Sequence, residues 1–352
     1  MNNNLEENIK FNREKIFEKL DYSAKPENYN KKITWTAQQQ IAATNGVHYI
    51  DRIGKLNDYP QFELPIEKTK GLFLDIGCGW GRRLVSANKK GLVPVGIDLR
   101  LEFCKASLET LKNDNIEGYV VVADLEEIPF QNSIFDVVWS FSVIQHTHIN
   151  RLKSCLKHIN RILTNTGFTK LEFPNSNGVH NRIKNVKESN KTKEDYNSWC
   201  VRYYSINEYK KIFNSILSIF KVQNHSFLGI GVLKEDLKYV SLINKIKCAT
   251  SLFLSQLTKL LPFMMNFSDS LYITAKKKEQ DLNFNKGLKE FEELRLKNDY
   301  SNLHILPLLQ CPITHTKLFI FDKEFVINEI KTYKYPIIDD IPILIKSEAI
   351  EI

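Results

Sequence analysis

The stretch from Leu72 to Gly81 reads Leu-Phe-Leu-Asp-Ile-Gly-Cys-Gly-Trp-Gly and decides the fold. Its first five residues are apolar apart from Asp75, which predicts a buried strand. Glycines then occupy positions 77, 79 and 81, and a helical pattern begins directly after them. Glycines at such a turn let the backbone bend sharply and approach a ligand where a Cβ atom would collide. The stretch therefore predicts a strand, a ligand-binding turn and a helix, in that order.

The sequence downstream repeats this alternation of short apolar runs and helix-sized segments. The further runs are 92–98, 119–124, 135–141 and 168–173. Continuous apolar strands that are each followed by a helix indicate a parallel sheet covered on both faces. The predicted fold class is therefore α/β: a doubly wound, mostly parallel, seven-stranded sheet with N-terminal helices, a helical insertion and a small C-terminal α+β domain.

Later segments complete this prediction. Ser205 and Glu208 have the spacing of a capping box, so a helix is expected to begin near Ile206. Residues 234–265 have a helical pattern, and residues 270–275 have the character of a final strand.

Two classes of nucleotide cofactor bind at a glycine turn of this kind. A dinucleotide-binding fold has the pattern GxGxxG, with its third glycine where the helix packs against the strand. Here Arg82 occupies that position, and the third glycine comes one residue earlier. The sequence therefore disfavours NAD.

The spacing instead resembles the DxGxGxG signature of class I S-adenosylmethionine-dependent methyltransferases. The resemblance continues through Asp98, where that family holds the ribose hydroxyls, and Asp124, where it places an acid against the adenine amino group. The segment from Phe135 to His146 resembles the family's fourth strand and the turn after it. The resemblance covers residues 66–175 directly and residues 40–276 more loosely.

The resemblance implies a cofactor, S-adenosylmethionine, and a set of residues that hold it. These are Asp75, Gly77, Cys78, Gly79, Gly81, Asp98, Leu99, Asp124, Leu125, Ser140 and Phe141. The chemistry agrees, because the cofactor has a vicinal diol and an exocyclic amine, which carboxylates at two strand ends can recognise.

The acceptor region is less well defined by the sequence. His146 follows the fourth strand, where donor and acceptor would meet, and is the candidate catalytic residue; a positioning role is the alternative, because methyl transfer depends mainly on positioning. His180, Arg202, Tyr203 and Tyr204 are candidate substrate-binding residues, since aromatic rings beside an arginine suit a sugar or an anionic ring. Alternatively, the two tyrosines pack on the sheet.

The formal net charge of +8 is unevenly distributed. Residues 151–280 contain 22 Lys and Arg against 9 Asp and Glu, whereas residues 1–150 and 281–352 are close to balanced. Either this basic block faces an anionic acceptor or a nucleic acid, or its lysines are simply solvated.

The leading function is methyl transfer to a small or medium-sized acceptor, such as a saccharide or a surface-polymer precursor, which an insertion over about 175–266 could enclose. An alternative is a methyltransferase that acts on RNA or a translation component, for which the sequence has no recognisable RNA-binding module. A third reading is a non-catalytic scaffold, which the intact glycine turn disfavours.

The C-terminal sequence carries a second resemblance. Cys311-Pro-Ile-Thr314 and the run from Tyr335 to Leu344 resemble the small zinc-ribbon-type activator of methyltransferases. That family begins with a CPxC pair, but here Thr314 replaces the second cysteine and residues 328–332 contain none. We therefore expect no bound metal, and we expect the unit to dock on the catalytic domain.

The predicted organisation has four parts: an N-terminal helical extension at 1–65, a methyltransferase domain at 66–280, a linker at 281–302 and a small activator-like domain at 303–352. Six cysteines without a CxxC pair and a start without signal-peptide features predict a cytoplasmic protein. The most apolar stretch is interrupted by Lys259 and Pro262, so no membrane span is expected.

Overall fold

The computed structural model describes residues 33–45, 49, 54–60, 62–184, 200–229, 234–239, 241–278, 286–295 and 301–352. Its strands in these ranges are β1 Leu72–Ile76, β2 Val93–Asp98, β3 Tyr119–Ala123, β4 Phe135–Ser140, β5 Leu163–Pro174, β6 Ser218–Ser226, β7 Ser270–Lys276, β8 Leu318–Ile320, β9 Phe325–Asn328, β10 Tyr333–Ile338, β11 Ile341–Leu344 and β12 Ile350–Glu351. Its α-helices in the same ranges are α1 Trp35–Asn45, α2 Arg82–Lys89, α3 Leu101–Asn113, α4 Ile149–Ile162, α5 Val179–Ile183, α6 Ile206–Asn214, α7 Leu242–Leu260 and α8 Lys286–Arg295.

The central sheet is doubly wound and mostly parallel, as the sequence predicted. Its strands follow the order β6-β7-β5-β4-β1-β2-β3, and β1 to β5 pair in parallel. Strand β7 lies antiparallel between β5 and β6. The predicted α/β fold class is confirmed, and the carboxyl ends of β1 to β6 meet at one edge, called here the ligand edge.

Each central strand is buried on both faces, which explains the unbroken apolar runs. Leu74 belongs to one core cluster, together with Leu156 of α4. Phe73, its neighbour in β1, belongs to a second cluster with Leu84 of α2 and Trp139 of β4. A strand between two such layers has no solvent face, so its sequence shows no polar alternation.

The N-terminal part covers the glycine turn. Trp80 of the turn stacks on Tyr59 with ring centroids 5.6 Å apart. Arg82 forms an ion pair of 3.0 Å with Asp236, whose carboxylate also accepts a hydrogen bond from Tyr49. Helix α1 lies within the N-terminal helical extension predicted at 1–65, of which residues 1–32 lie outside the described residues.

The C-terminal unit packs on the central sheet by adding a strand to it. Strand β11 pairs in parallel with β3, with Ile343 opposite Val122, and β10, β9 and β8 continue the sheet beyond the seven predicted strands. Asn302 is fully buried; its side chain accepts a hydrogen bond from the Val120 amide and donates one to the Val120 carbonyl. Helix α8, within the segment expected to be a linker, packs Phe291 against Tyr119.

Hydrogen bonds join the positions where the activator resemblance would place metal ligands. The thiol of Cys311 lies 3.2 Å from the Tyr335 hydroxyl. Asn328 donates to the hydroxyls of Thr314 and Thr332 at 3.1 and 3.0 Å. Within the described ranges, no group of three or more His, Cys, Asp or Glu side chains could hold a metal ion. The absence of metal stays a prediction.

Of the helices in the described ranges, none combines the length and the apolar character that crossing a membrane requires.

Candidate functional site

The glycine turn is held against the second strand by main-chain hydrogen bonds. The amides of Gly77 and Cys78 both donate to the Ile97 carbonyl, at 2.8 and 3.0 Å. Gly77 has a φ of +77°, and a Cβ atom there would lie 2.3 Å from a methyl group of Val143. Only glycine fits this position, because both the backbone conformation and the available space exclude a side chain.

Cys78 contributes its backbone to the turn, whereas its side chain faces the core. The thiol lies close to Gly96, where a Cβ atom would meet it at 2.9 Å, and a hydrogen bond with Cys104, together with burial, raises its pKa. The predicted role of Cys78 in cofactor binding therefore rests on main-chain atoms.

Asp98 connects the end of β2 to the glycine turn. Its carboxylate accepts hydrogen bonds from the amides of Gly79 and Arg100, at 3.1 and 3.2 Å. Burial raises its pKa to about 6, and those two hydrogen bonds oppose the rise. Leu99, the next residue, is half exposed and can cover a flat ring.

Asp75 is buried at the end of β1 with an unused acceptor. It is 1% exposed, and its Oδ2 atom has no hydrogen-bond partner among the described residues. Burial raises its pKa to about 7, while the charge of Arg83 opposes this rise. A buried acceptor without a donor is costly, so this atom is suited to a donor on a bound ligand.

Asp124 at the end of β3 is only partly buried and is already paired. Arg151 of α4 donates to its carboxylate at 3.2 Å, and the amide of Glu126 donates at 2.9 Å. An ionised carboxylate can accept further hydrogen bonds, so this pairing leaves capacity for an adenine amino group. Leu125 is half buried against the core beside it.

Beside the end of β4 lies a carboxylate, Glu172 of β5, that was not among the residues predicted from the sequence. Ser140 donates its hydroxyl to the Ile76 carbonyl at 2.9 Å, so this hydroxyl holds β4 to β1. Ser142 has a left-handed backbone with a φ of 57°, and both its amide and its hydroxyl donate to Glu172 of β5, at 3.2 and 3.0 Å. Such strain at a strand end is typical of functional sites.

Glu172 belongs to a polar cluster, defined here as Arg83, Lys170, Glu172 and His225, with the rings of Phe141 and Tyr272; Lys170 and Glu172 are buried, and Arg83 and His225 are half buried. Burial raises the pKa of Glu172 to about 7, against hydrogen bonds from Ser142 and Ser270 and the charge of Arg83. Burial lowers the pKa of His225 to about 4, and the charges of Arg83 and Lys170 lower it further.

Arg83 is the cation at the centre of this cluster. Its guanidinium lies 4.5 Å from the Phe141 ring and 5.3 Å from the Phe62 ring. Its Nε atom is buried and has no hydrogen-bond partner in the described part of the chain. The sequence held a weak signal for this cluster, namely charged residues inside otherwise apolar strand and helix patterns.

His146 and Arg202 are brought together, but through the backbone. His146 ends a 3-10 turn, Ile144–His146, and is 6% exposed. Arg202 is also buried: its Nη1 atom donates to the His146 carbonyl at 2.7 Å, and its amide donates to the Gln145 carbonyl. Arg202 was expected to present its guanidinium to an acceptor, whereas here that group holds the segment around residue 202 against the turn after β4.

The remaining candidates lie around the end of β5. Tyr204 packs its ring against Tyr209 of α6 at 5.5 Å, the packing alternative considered for it. Tyr203 is half buried beside it. His180 on α5 lies against Gly229, and burial lowers its pKa. Substrate binding by these residues stays a prediction.

Comparison with known proteins agrees with this geometry. Residues 74–170 match the family model of a methyltransferase domain. The matched segment contains Asp75, the glycine turn, Asp98 and Asp124. The match supports a methyltransferase domain in this segment, and the cofactor that it implies is S-adenosylmethionine.

Two relatives are uncharacterized proteins of Methanocaldococcus jannaschii. One is 34% identical over 124 residues, which cover 35% of this chain and 45% of the relative. The other is 27% identical over 161 residues, which cover 44% of this chain and 64% of the relative. The match therefore spans less than two thirds of the length of either relative.

Solved structures of partial similarity include an S-adenosylmethionine-dependent methyltransferase from Methanosarcina mazei, 15% identical with a TM-score of 0.45, where the match covers 61% of this chain and 99% of the other. Another belongs to a complex between the Haloferax volcanii Trm112 methyltransferase activator and a methyltransferase; it is 18% identical with a TM-score of 0.42, covering 62% of this chain and 87% of the other.

The residues at the ligand edge fit the implied cofactor. Asp75 offers a buried carboxylate oxygen without a partner among the described residues, which suits a donor on the cofactor. Asp98, at the next strand end, is suited to a diol, since a carboxylate accepts from two hydroxyls at once.

Proposed function

We propose that this chain is an S-adenosylmethionine-dependent methyltransferase that acts on a small or medium-sized polar acceptor, of which a saccharide or a surface-polymer precursor is the favoured kind. The observation that carries the proposal is the convergence of the glycine turn and two acids, Asp75 and Asp98, at one edge of the sheet. The methyltransferase-domain match over the same residues supports it.

The cofactor supplies an activated methyl group on a sulfonium, so the protein's task is mainly to hold the two reactants in line. Asp98 would hold the ribose hydroxyls of the cofactor, and Asp124 would accept from its adenine amino group. The turn around Phe141 and Ser142 would line the methionine part. The amide and the hydroxyl of Ser142 both donate to Glu172 and fix this turn in its left-handed conformation.

We assign the proton-accepting role to Glu172 in preference to His146. A base is required when the acceptor is a hydroxyl or a protonated amine, and its pKa is best near the working pH. The pKa of Glu172 is raised to about 7, and the residue lies directly beside the end of β4. His146 is buried, and its carbonyl group holds Arg202, which suits a positioning role.

Calorimetry tests the donor assignment. S-adenosylmethionine and its demethylated product should each bind with one-to-one stoichiometry, and NAD should give no heat. Tight NAD binding, or no binding of either sulfur compound to folded protein, would contradict the proposal.

A screen tests the acceptor assignment. Polar metabolites and cell-envelope extracts are incubated with the protein and donor that carries a labelled methyl group. We expect label in a polar small molecule or glycan precursor, and we expect Glu172→Gln to lose this labelling while it keeps donor affinity. Label confined to RNA would contradict the acceptor class, and full labelling by the variant would contradict the role of Glu172.

A further inference from the structure

Helix α7 buries its polar side and exposes its apolar side, the reverse of an ordinary surface helix. The residues that it buries against the protein are small and polar: Cys248, Ser251 and Thr258, with Ser255 half buried between them. Most of its large apolar residues are exposed instead. A surface helix of a globular protein normally turns its apolar stripe toward the core.

Hydrogen bonds fix this orientation. The hydroxyl of Ser251 accepts from the Phe227 amide at 2.9 Å, just beyond the end of β6. Asn224 of β6 donates to the Ser255 hydroxyl at 2.6 Å and accepts from the Thr258 hydroxyl at 2.8 Å. Rotating the helix to bury its apolar face would leave these polar groups without their partners, so the apolar face is held outward.

The exposed residues form one continuous stripe. Leu242, Ile246, Phe253 and Leu260 follow the spacing of a single helix face, and each is at least 60% exposed. The 3-10 turn Pro262–Phe267 follows the helix and exposes Phe263 and Phe267 as well. The outer apolar surface is defined here as Leu242, Ile243, Ile246, Leu252, Phe253, Leu260, Leu261, Phe263 and Phe267. Monomeric soluble proteins rarely expose so large a contiguous apolar patch, and such patches mark interaction sites.

The charges within the segment that carries this surface are all of one sign. Residues 241–267 contain three lysines, Lys245, Lys247 and Lys259, and no Asp or Glu. All three are exposed, and Arg182 of α5 lies over the Phe267 ring at 5.6 Å. A second copy of this surface would bring lysines against lysines, so an apolar partner with negative charges is favoured over self-association.

We propose that the outer apolar surface docks on an anionic lipid bilayer, with α7 lying in the plane of the headgroups. An apolar stripe flanked by lysines is the pattern of helices that lie at a membrane interface, and each lysine near an anionic surface adds attraction. Helix α7 packs its inner side against the end of β6, which belongs to the ligand edge, so the docked protein holds that side of the sheet close to the membrane. The proposal concerns a face separate from the donor-binding residues and stands apart from methyl transfer.

Sedimentation with vesicles tests the proposal. The full chain should sediment with vesicles of phosphatidylcholine and phosphatidylglycerol, and far less with pure phosphatidylcholine. Raised salt should weaken binding, because the headgroup attraction is screened. The double variant Ile246→Gln/Phe253→Gln should lower the affinity about tenfold or more, since two exposed apolar side chains lose their burial in the bilayer.

A matched control uses exposed apolar residues on another face. Phe319→Gln/Ile320→Gln alters strand β8, where both side chains are about half exposed, and should leave vesicle binding unchanged. Unfolding temperatures and calorimetric donor binding should be unaltered in both double variants, which separates loss of docking from loss of fold or of the proposed function.

Three results would overturn the proposal. Vesicle binding that the α7 variant leaves unchanged would remove this surface from the interface. A dimer in light scattering that the variant converts to monomer, without vesicle binding, would assign the surface to a second copy. Salt-sensitive RNA retention that the variant abolishes, without vesicle binding, would assign it to nucleic acid.

Discussion

Two edges of the same sheet are built in opposite ways. The ligand edge takes its decisive residues from one short stretch, Asp75 to Gly81, with Asp98 close behind in sequence. The lateral edge of β3 is completed by β11 and Asn302, which lie roughly 180 residues and more away along the chain. A contiguous motif specifies its own turn, whereas the pairing of distant strands depends on the assembled protein.

The two edges also differ in what stabilises them. At the ligand edge, burial raises the pKa of Asp75 and Glu172 to about 7, and buried groups such as the Asp75 Oδ2 atom have no donor in the described residues. At the lateral edge, the Val120 amide and carbonyl are both satisfied by Asn302. The ligand edge keeps polar groups available for a ligand, which lowers the stability of the protein. At the lateral edge, the Val120 groups already have their hydrogen bonds.

The largest effect on stability should follow from removing the hydrogen bonds that Asn302 makes at the lateral edge. Asn302→Ala leaves the Val120 amide and carbonyl without partners, and each such buried group costs about 1–3 kcal/mol. We expect the free energy of unfolding in urea to fall by about 3 kcal/mol. Asn214→Ala, at the exposed end of α6, is the control and should change it by less than about 0.5 kcal/mol. If the two variants were equally stable, the strand addition would not hold this edge.

The second prediction tests how far the burial of Glu172 at the ligand edge lowers the stability of the protein. A carboxyl whose pKa is raised by folding binds its proton more tightly in the folded state, so stability falls as pH rises from its ordinary value to the raised one. For Glu172 this window runs from 4.5 to about 7. Glu172→Gln removes this contribution, and by the conversion of pKa to free energy the variant should gain up to about 3 kcal/mol relative to wild type between pH 5 and pH 8.

Urea unfolding at both pH values measures this difference. Glu329→Gln, which alters an exposed carboxylate in the C-terminal unit, should show no such pH-dependent gain. Parallel stability curves for wild type and Glu172→Gln would show that Glu172 is not held in its neutral form.

The same contrast explains how much could be predicted from the sequence. Strands β1 to β5 were predicted because a strand buried on both faces is written as an unbroken apolar run. The turn at Gly77 was predicted because close approach of a backbone requires glycine. Docking of the C-terminal unit was also expected, but the pairing of β11 with β3 was not, since a four-residue run fits many partners and registers.

The candidate site shows the same limit. Asp98 lies at a strand end in a pattern that the sequence displays directly. Arg83 and Glu172 were missed because they lie 89 residues apart on α2 and β5 and meet only in the folded protein. Arg202 was read as an acceptor contact from its aromatic neighbours, but its guanidinium binds a main-chain carbonyl. Its side chain is buried, and its role in acceptor binding stays a prediction.

The third prediction tests the ligand edge, whose residues are specified by the sequence motif. Asp98→Ala removes charge-assisted hydrogen bonds to the ribose hydroxyls and should weaken S-adenosylmethionine binding by about 2 kcal/mol in calorimetry. Because the pKa of Asp98 is raised to about 6, wild-type affinity should increase as pH rises through that value, and the variant should lose this dependence. Glu329→Ala should match wild type. Unchanged affinity in folded Asp98→Ala would mean that the donor does not contact this strand end.

The smallest change in stability is expected at Cys311. If a metal were bound there, the change would be the largest. Cys311 is fully buried, but its thiol lies 3.2 Å from the Tyr335 hydroxyl, and Thr314, Asn328 and Thr332 are joined by hydrogen bonds of their own. A hydrogen-bonded network tolerates a hydroxyl in place of a thiol, so Cys311→Ser should lower the free energy of unfolding by about 1 kcal/mol or less. A chelator should leave the unfolding temperature unchanged, and the purified chain should hold less than one equivalent of zinc. A structural zinc site contributes its binding energy to folding, so stoichiometric zinc with collapse on chelation would show that Cys311 serves as a ligand.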